Sequence, residues 1–284
     1  YYNTALGYQA LLTDTTGRTS VAVGRNALRT QNNTNSDNMN NTAVGADAGY
    51  SVTTGACNTL IGAEAGNDIT TGTRNTIVGG EAGDALTIGR YNTALGYKAL
   101  TTDIDGDYSV ALGYQALYTQ ESDSANQAVY NTAIGGGTAQ NLTTGIKNTF
   151  VGGISAGSGV VEGDVNVAVG YQALYALTSG AYNVAVGAYA LDANTTATGN
   201  VAVGYNTLTV NSTGATNTAL GHYALAGNTT ASFNTAVGNA SMQVNSEGAG
   251  NTALGSSTLN VLTTGDYNIA IGFNAGVLMT TGDR

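Results

Sequence analysis

Nucleophilic chemistry has little to stand on in this chain, which carries one histidine and one cysteine. A Ser-His-Asp or Cys-His set needs an imidazole beside the nucleophile, and any such set would have to use His222. His222 occupies a position where other copies of an internal repeat carry Tyr, Ala, Gly or Arg, so it reads as a tolerated surface variant. Cys57 also fills a variable position, and a single cysteine excludes an intrachain disulfide framework. Carboxylates are better represented. Asp103, Asp105 and Asp107 stand around Gly106 like the start of a calcium loop. An EF-hand loop needs glycine at its sixth position and glutamate at its twelfth, but here Gly106 is fourth and Tyr114 is twelfth. The expectation is a solvated turn, with metal binding as the alternative. A second set, Asp47, Glu64 and Glu81, recurs every 17 residues, and Lys98 follows at the next step. Stacked in register these four form one row, read as splayed and solvated, with a weak cation site as the alternative. Glu64 and Glu81 could meet the roughly 5 to 9 Å spacing of a glycosidase pair, but no cleft is implied. The chain is therefore expected to be no enzyme and to use no cofactor.

The 17-residue step runs through the whole sequence, and a repeat overrides any prior from length. Number the slots of one unit 1 to 17, with Asn92 in slot 1. Slot 1 then falls on 16 positions from Asn3 to Asn268, and only Ser20 and Ser109 are not Asn. Three steps are longer than 17: 21 residues after Ser20, 22 after Ser109 and 18 after Asn148. Slot 2 is Thr, Val or Ile, slot 4 is Val, Leu or Ile, and slot 3 is Ala except at Leu60, Ile77 and Phe150. Slot 5 is always Gly, and slot 8 is Ala, Ser or Thr. Slot 15 is Gly in most of the units that align there without a gap.

Slots 1 to 5 alternate in the strand period, with slots 2 and 4 on one face and slots 3 and 5 on the other. Slots 7 to 9 read as a second short strand, and the Thr-Thr-Gly of slots 10 to 16 reads as a turn. Helices are disfavoured by the glycine and β-branching. The predicted fold is an all-β solenoid of about 16 coils, each stacking on the last through parallel pairing. One array spans 1–284, with inserted loops at 29–40 and 118–130, and it is expected to be a segment of a longer chain. Slot 1 side chains such as Asn92, Asn183 and Asn251 should stack into an amide ladder. Slot 5 glycines such as Gly96, Gly170, Gly187 and Gly255 should mark close approach. Both strand faces look buried. The expectation is that slot 4 fills the coil and that the Ala-Gly face packs on identical chains, with the opposite assignment as the alternative. Tyr, with 17 residues, concentrates in slots 6 and 17; regular spacing favours a packed corner over an exposed glycan-stacking platform.

Asn166-Val167-Ala168-Val169-Gly170 followed by Tyr171-Gln172-Ala173-Leu174, and Asn251-Thr252-Ala253-Leu254-Gly255, resemble the repeats of trimeric autotransporter adhesin heads. The 17-residue spacing with Thr-Thr-Gly between units is even more similar to phage tail-fibre repeats. The resemblance covers essentially the whole chain. It implies a left-handed parallel β-roll in each of three intertwined chains, hence a homotrimeric fibre. It also implies an extracellular place, on a virion tail or cell surface, and a host receptor or glycan as partner. Two departures stand out: the unit is longer than the usual adhesin-head repeat, and no coiled-coil stalk, membrane anchor or self-cleaving chaperone domain is present.

Net charge is −10, and eight Lys and Arg leave few groups to meet phosphates. Nucleic acid and anionic membrane surfaces are disfavoured, and no apolar run approaches the roughly 20 residues of a membrane span. Two other functions compete with an adhesive fibre. Regular Thr on a flat solenoid face could bind ice, and a tail spike could cleave glycans. The polar inserted loops are where a specific contact is expected.

Overall fold

The computed structural model describes residues 2–34 and 38–282. It is an all-β parallel solenoid of about 16 coils of about 17 residues, with no helix among the described residues. The chain divides into two compact units, 1–144 and 145–284. The first contains β1 (Thr4–Leu6) to β8 (Thr132–Ile134), and the second contains β9 (Thr149–Val151) to β16 (Ile269–Ile271). Within each unit every strand pairs in parallel with the next, and the register is the sequence repeat. Thr93, Ala94 and Leu95, for example, face Val110, Ala111 and Leu112.

Only slots 2 to 4 are strand, which corrects the reading of slots 7 to 9. Residues in slots 7 and 9 hold left-handed backbone, as at Lys98 (φ +55°) and Leu100 (φ +54°). Two such residues in three cannot continue an extended strand. The chain turns inward there instead, and slots 8 and 9 deliver buried side chains: Ala99 and Leu100, or Ala173 and Leu174. Backbone bonds to the next coil continue through this turn, as Leu100 N–H donates to the Ala116 carbonyl at 3.0 Å.

The strand faces are also opposite to the favoured expectation. In all strands but the first and last, the central residue (slot 3) is buried, and slots 2 and 4 point outward. The reason is volume. Slot 3 shares the coil interior with slots 9 and 12, so their sizes must trade. Where slot 3 is Ala94, slot 9 is Leu100; where it is Leu60 or Ile77, slot 9 is Gly66 or Gly83. A Cβ on Gly66 would lie 2.9 Å from Leu60 Cδ2. Phe150 is matched by Ala156 in slot 9 of its own unit in the same way. Such exchange of size between facing slots is the kind of substitution that cores tolerate best.

Slot 5 marks a close approach of one coil to the next. Gly170 has φ +141°, and a Cβ there would lie 2.6 Å from the carbonyl of Gly187. The neighbour it excludes belongs to the same chain, so the glycine requirement is met within one solenoid rather than at a contact between chains.

Two outcomes follow for stability. Leu60→Ala should destabilise unit 1 by about 3 kcal/mol by opening a cavity beside Gly49 and Gly66, and adding Gly66→Leu should recover most of that loss. Gly66→Leu alone should be destabilising, so a double variant no better than Leu60→Ala in urea melts would contradict the facing arrangement. Gly170→Val should cost about 4 kcal/mol or more through backbone strain and overlap, and the loss should be present in monomers.

Candidate functional site

Slot 1 positions everything else. Asn92 Nδ2 donates to the carbonyl of Gly106 at 2.8 Å, closing its own coil, while its Oδ1 accepts the backbone N–H of Ser109 at 2.8 Å, tying the next one. Asn183 and Asn251 repeat the pattern, reaching the carbonyls of Ala197 (2.9 Å) and Gly265 (2.7 Å). These side chains are fully buried, so each satisfied amide also avoids the cost of an unpaired buried group.

The two longest steps break this pattern in one shared way. The units that begin with Ser20 and Ser109 carry the inserted loops and have no slot 15 glycine. Their chains re-enter the stack at isolated bridges, Asn38 with Arg18 and Ala128 with Asp107, and bury Met39 and Val129. The short serine leaves the interior to glutamine from slot 12. Gln31 Nε2 donates to Asp14 Oδ2 (3.0 Å) and Ser20 Oγ (3.2 Å), and its Oε1 accepts from Asn41 Nδ2 (2.9 Å). Gln120 makes the same three contacts, with Asp103 (2.6 Å), Ser109 (2.8 Å) and Asn131 (3.0 Å). An Asp-Ser-Gln set thus replaces the amide rung wherever a loop is inserted. Sequence reading noted the serines and the insertions but not the matching Asp14/Gln31 and Asp103/Gln120, although they were visible at fixed slots.

This set disperses the first acidic group. Asp103 points into the core, where burial pushes its carboxyl up from the usual range against the pull of Gln120 and the Gly106 N–H. Asp107 is buried as well and turns to Arg90, accepting its backbone N–H at 2.7 Å and its guanidinium at 2.7 Å. Asp105 accepts from the Ser122 hydroxyl. The three do not converge, and among the described residues no group of three or more acidic, His or Cys side chains is placed to hold a metal. The turn is therefore largely buried, not solvated. Beside it, Ile104, Asp105, Glu121, Ser122, Asp123 and Ser124 line an open, acidic depression under the loop at 118–130. Part of the other loop, 35–37, lies outside the described residues.

The slot 7 row forms, but it is broken up by cations. Asp47 pairs with Arg25 and accepts from Asn26 Nδ2 at 2.7 Å. Lys98 Nζ lies 3.1 Å from Glu81, which also accepts from the Tyr97 hydroxyl at 3.0 Å. Lys98 and Tyr97 hold Glu81 below the ordinary carboxylate range, and Glu64 stays exposed. Nearby Asp84 is pushed up to about 6, first by burial and then by Asp68, Glu64 and Glu81.

The tyrosines are not packed into a corner. In unit 1, Tyr91, Tyr108 and Tyr130 of slot 17 lie face to face at 4.9 and 5.0 Å, with Arg74 over Tyr91 at 5.3 Å. In unit 2, Tyr171, Tyr189, Tyr205 and Tyr223 of slots 6 and 7 pack edge to face at 5.6 to 6.0 Å. His222 lies along Tyr205 at 5.5 Å and bonds Asn239 at 3.1 Å. Tyr91, Tyr108, Tyr130, Tyr171 and Tyr205 are all exposed, because each ring finds its neighbour along the stack rather than inside the coil. Cys57 is exposed as well, and among the described residues no helix is long and apolar enough to cross a membrane.

No protein-family model matches this chain, and no curated protein shows significant similarity to it.

Asp84 gives a pH test. Its folded-state pKa lies above the ordinary 3.8, so the favourable contribution is present below about pH 4 and is lost as pH rises through about 6. Asp84→Asn should therefore stabilise unit 1 at pH 7 by about 1 kcal/mol, allowing for screening at this half-exposed site. The difference between variant and parent in thermal melts should vanish near pH 4.

Proposed function

We propose that the chain is a non-catalytic structural and adhesive element, a segment of an extracellular homotrimeric fibre such as a phage tail fibre or surface adhesin. The observation that supports this reading most directly is the outward strand face. Slot 4 side chains are large and apolar yet open to solvent: Leu95 is 45% exposed, Ile134 39%, Val203 38% and Leu254 46%. Thr and Val of slot 2 lie beside them in each unit. Within each unit these side chains repeat from coil to coil as an exposed apolar strip, the kind of surface that marks an interaction site. A closed symmetric assembly of identical chains covers it without leaving a free patch. The pairing face in this reading is thus slots 2 and 4, the reverse of the Ala-Gly assignment. In this reading the polar loops at 29–40 and 118–130 meet a host receptor.

One observation favours a second reading. Thr42, Thr59, Thr76 and Thr93 come from four successive coils and face outward in a flat row beside Val44, Ile61, Val78 and Leu95. Such a surface could order ice. Val167, Val184 and Val201 interrupt the threonines in the second unit.

Light scattering decides between them. The fibre reading expects a concentration-independent mass of about 85 kDa, three times the 28.4 kDa chain. Val169→Glu with Val203→Glu should reduce it to a folded monomer. A monomeric parent that shows thermal hysteresis would replace the fibre with the ice-binding reading.

A further inference from the structure

The aromatic cluster of unit 2 differs from that of unit 1 in what it offers to a ligand. Rings stacked face to face hide their faces in one another. Tyr91 and Tyr108 are 4° from parallel, and Arg74 covers the outer side of Tyr91. Edges and hydroxyls are what remain. In unit 2 the interplanar angles are 83° to 90° between Tyr171 and Tyr189, Tyr189 and Tyr205, and Tyr205 and Tyr223. Tyr171 is 47% exposed and Tyr205 44%; each is braced at an angle by a slot 7 ring, and His222 lies nearly parallel to Tyr205 at 5.5 Å on one side of it. Bracing fixes the ring orientations before a ligand arrives, so little ordering cost is left for binding.

Spacing and charge narrow the ligand. Tyr171 and Tyr205 are 34 residues apart, two coils, and so roughly 10 Å apart at the inter-strand spacing. Tyr189 and Tyr223 repeat the same interval. That interval is close to the rise of one disaccharide in an extended β-1,4-linked chain. Slot 7 carries Gln172 and Asn206 beside Tyr171 and Tyr205, and slot 6 carries Asn239 in the coil after Tyr223, planar amides suited to sugar hydroxyls. From Val165 to Ser246 the only charged side chain is Asp192, whose carboxylate accepts from the Thr209 hydroxyl at 2.6 Å. No Lys or Arg lies in that stretch to attract an anion. We infer that the corner formed by Tyr171, Tyr189, Tyr205 and Tyr223 binds a neutral β-1,4-linked polysaccharide laid along the direction of coil stacking. The inference rests on the adhesive half of the proposed function and not on its oligomeric half, since the corner follows the strand and is separate from the slot 2 and slot 4 face.

Calorimetric titration of the full chain with cellohexaose, mannohexaose and chitohexaose tests it, with tetragalacturonate as the anionic comparison. Binding of at least one neutral oligosaccharide is expected, with affinity lowered about tenfold or more in Tyr171→Ala/Tyr205→Ala and unchanged in Glu121→Gln/Asp123→Asn. Circular dichroism melts unchanged from the parent would show that the tyrosine variant is folded. Tyr171→Phe/Tyr205→Phe, which keeps the ring faces, should retain most of the affinity. No binding to any of the three neutral oligosaccharides overturns the inference, as does a preference for tetragalacturonate. Loss of binding in the loop variant but not in the tyrosine variant overturns it too, while leaving the adhesive reading in place. A monomeric mass in light scattering would remove the fibre and leave this site untouched.

Discussion

A buried carboxamide that bonds in two directions is the constraint on which this protein depends. The slot 1 side chain closes its own coil with Nδ2 and fastens the following coil with Oδ1, as Asn92 does between Gly106 and Ser109. No other short side chain has a donor and an acceptor fixed at the right angle to do both. Because both partners are backbone groups, the surrounding side chains are free to vary. Slots 6, 7 and 17 accordingly range from Gly to Tyr, and the surface chemistry changes along the chain while the path of the backbone does not.

That freedom has a local cost. Slots 7, 9 and 17 hold left-handed backbone in residues as unsuited to it as Val165 (φ +57°) and Thr216 (φ +56°). Each carries about 1 kcal/mol or more of strain. The strain persists because both neighbours impose the same path, each coil giving and receiving backbone bonds at the same slots. A single coil would not hold this shape; the array does.

The sequence revealed the period, the parallel register, the Asn ladder and the glycine at close approach, because each leaves one residue type at one slot. It concealed what depends on pairs of slots. The inward direction of slot 3 was encoded in its exceptions, Leu60, Ile77 and Phe150, read together with Gly66, Gly83 and Ala156 six residues on. Read alone, slot 3 looked like a flat outer surface. The second strand was misread for a related reason: slots 8 and 9 are both buried, which strand alternation does not allow and a left-handed turn does. The acidic group at 103–107 looked like one cluster because sequence adjacency says nothing of direction, and the fold sends its three carboxylates to three different partners. Tyrosine periodicity was read as a packed corner, but the rings stack on one another outside the coil.

The Asp-Ser-Gln set has a consequence for how such chains can diversify. The single extra residue after Asn148 leaves the rung in place, with its Nδ2 still donating to the Gly163 carbonyl at 2.9 Å, whereas the two longer insertions do not keep it. Each of those two comes with three coordinated exchanges, spread over two coils, at slots 12, 1 and 12. Ser20 and Ser109 show the same solution in two places with different loops above it, four extra residues in one and five in the other. The set behaves as a socket: its polar contacts lie below the surface, and of the loop residues only Gln31 or Gln120, near the start of each inserted segment, takes part. New segments can therefore be grafted onto an otherwise monotonous stack by transplanting three side chains, so that novelty is confined to the loop while the scaffold beneath it keeps its register.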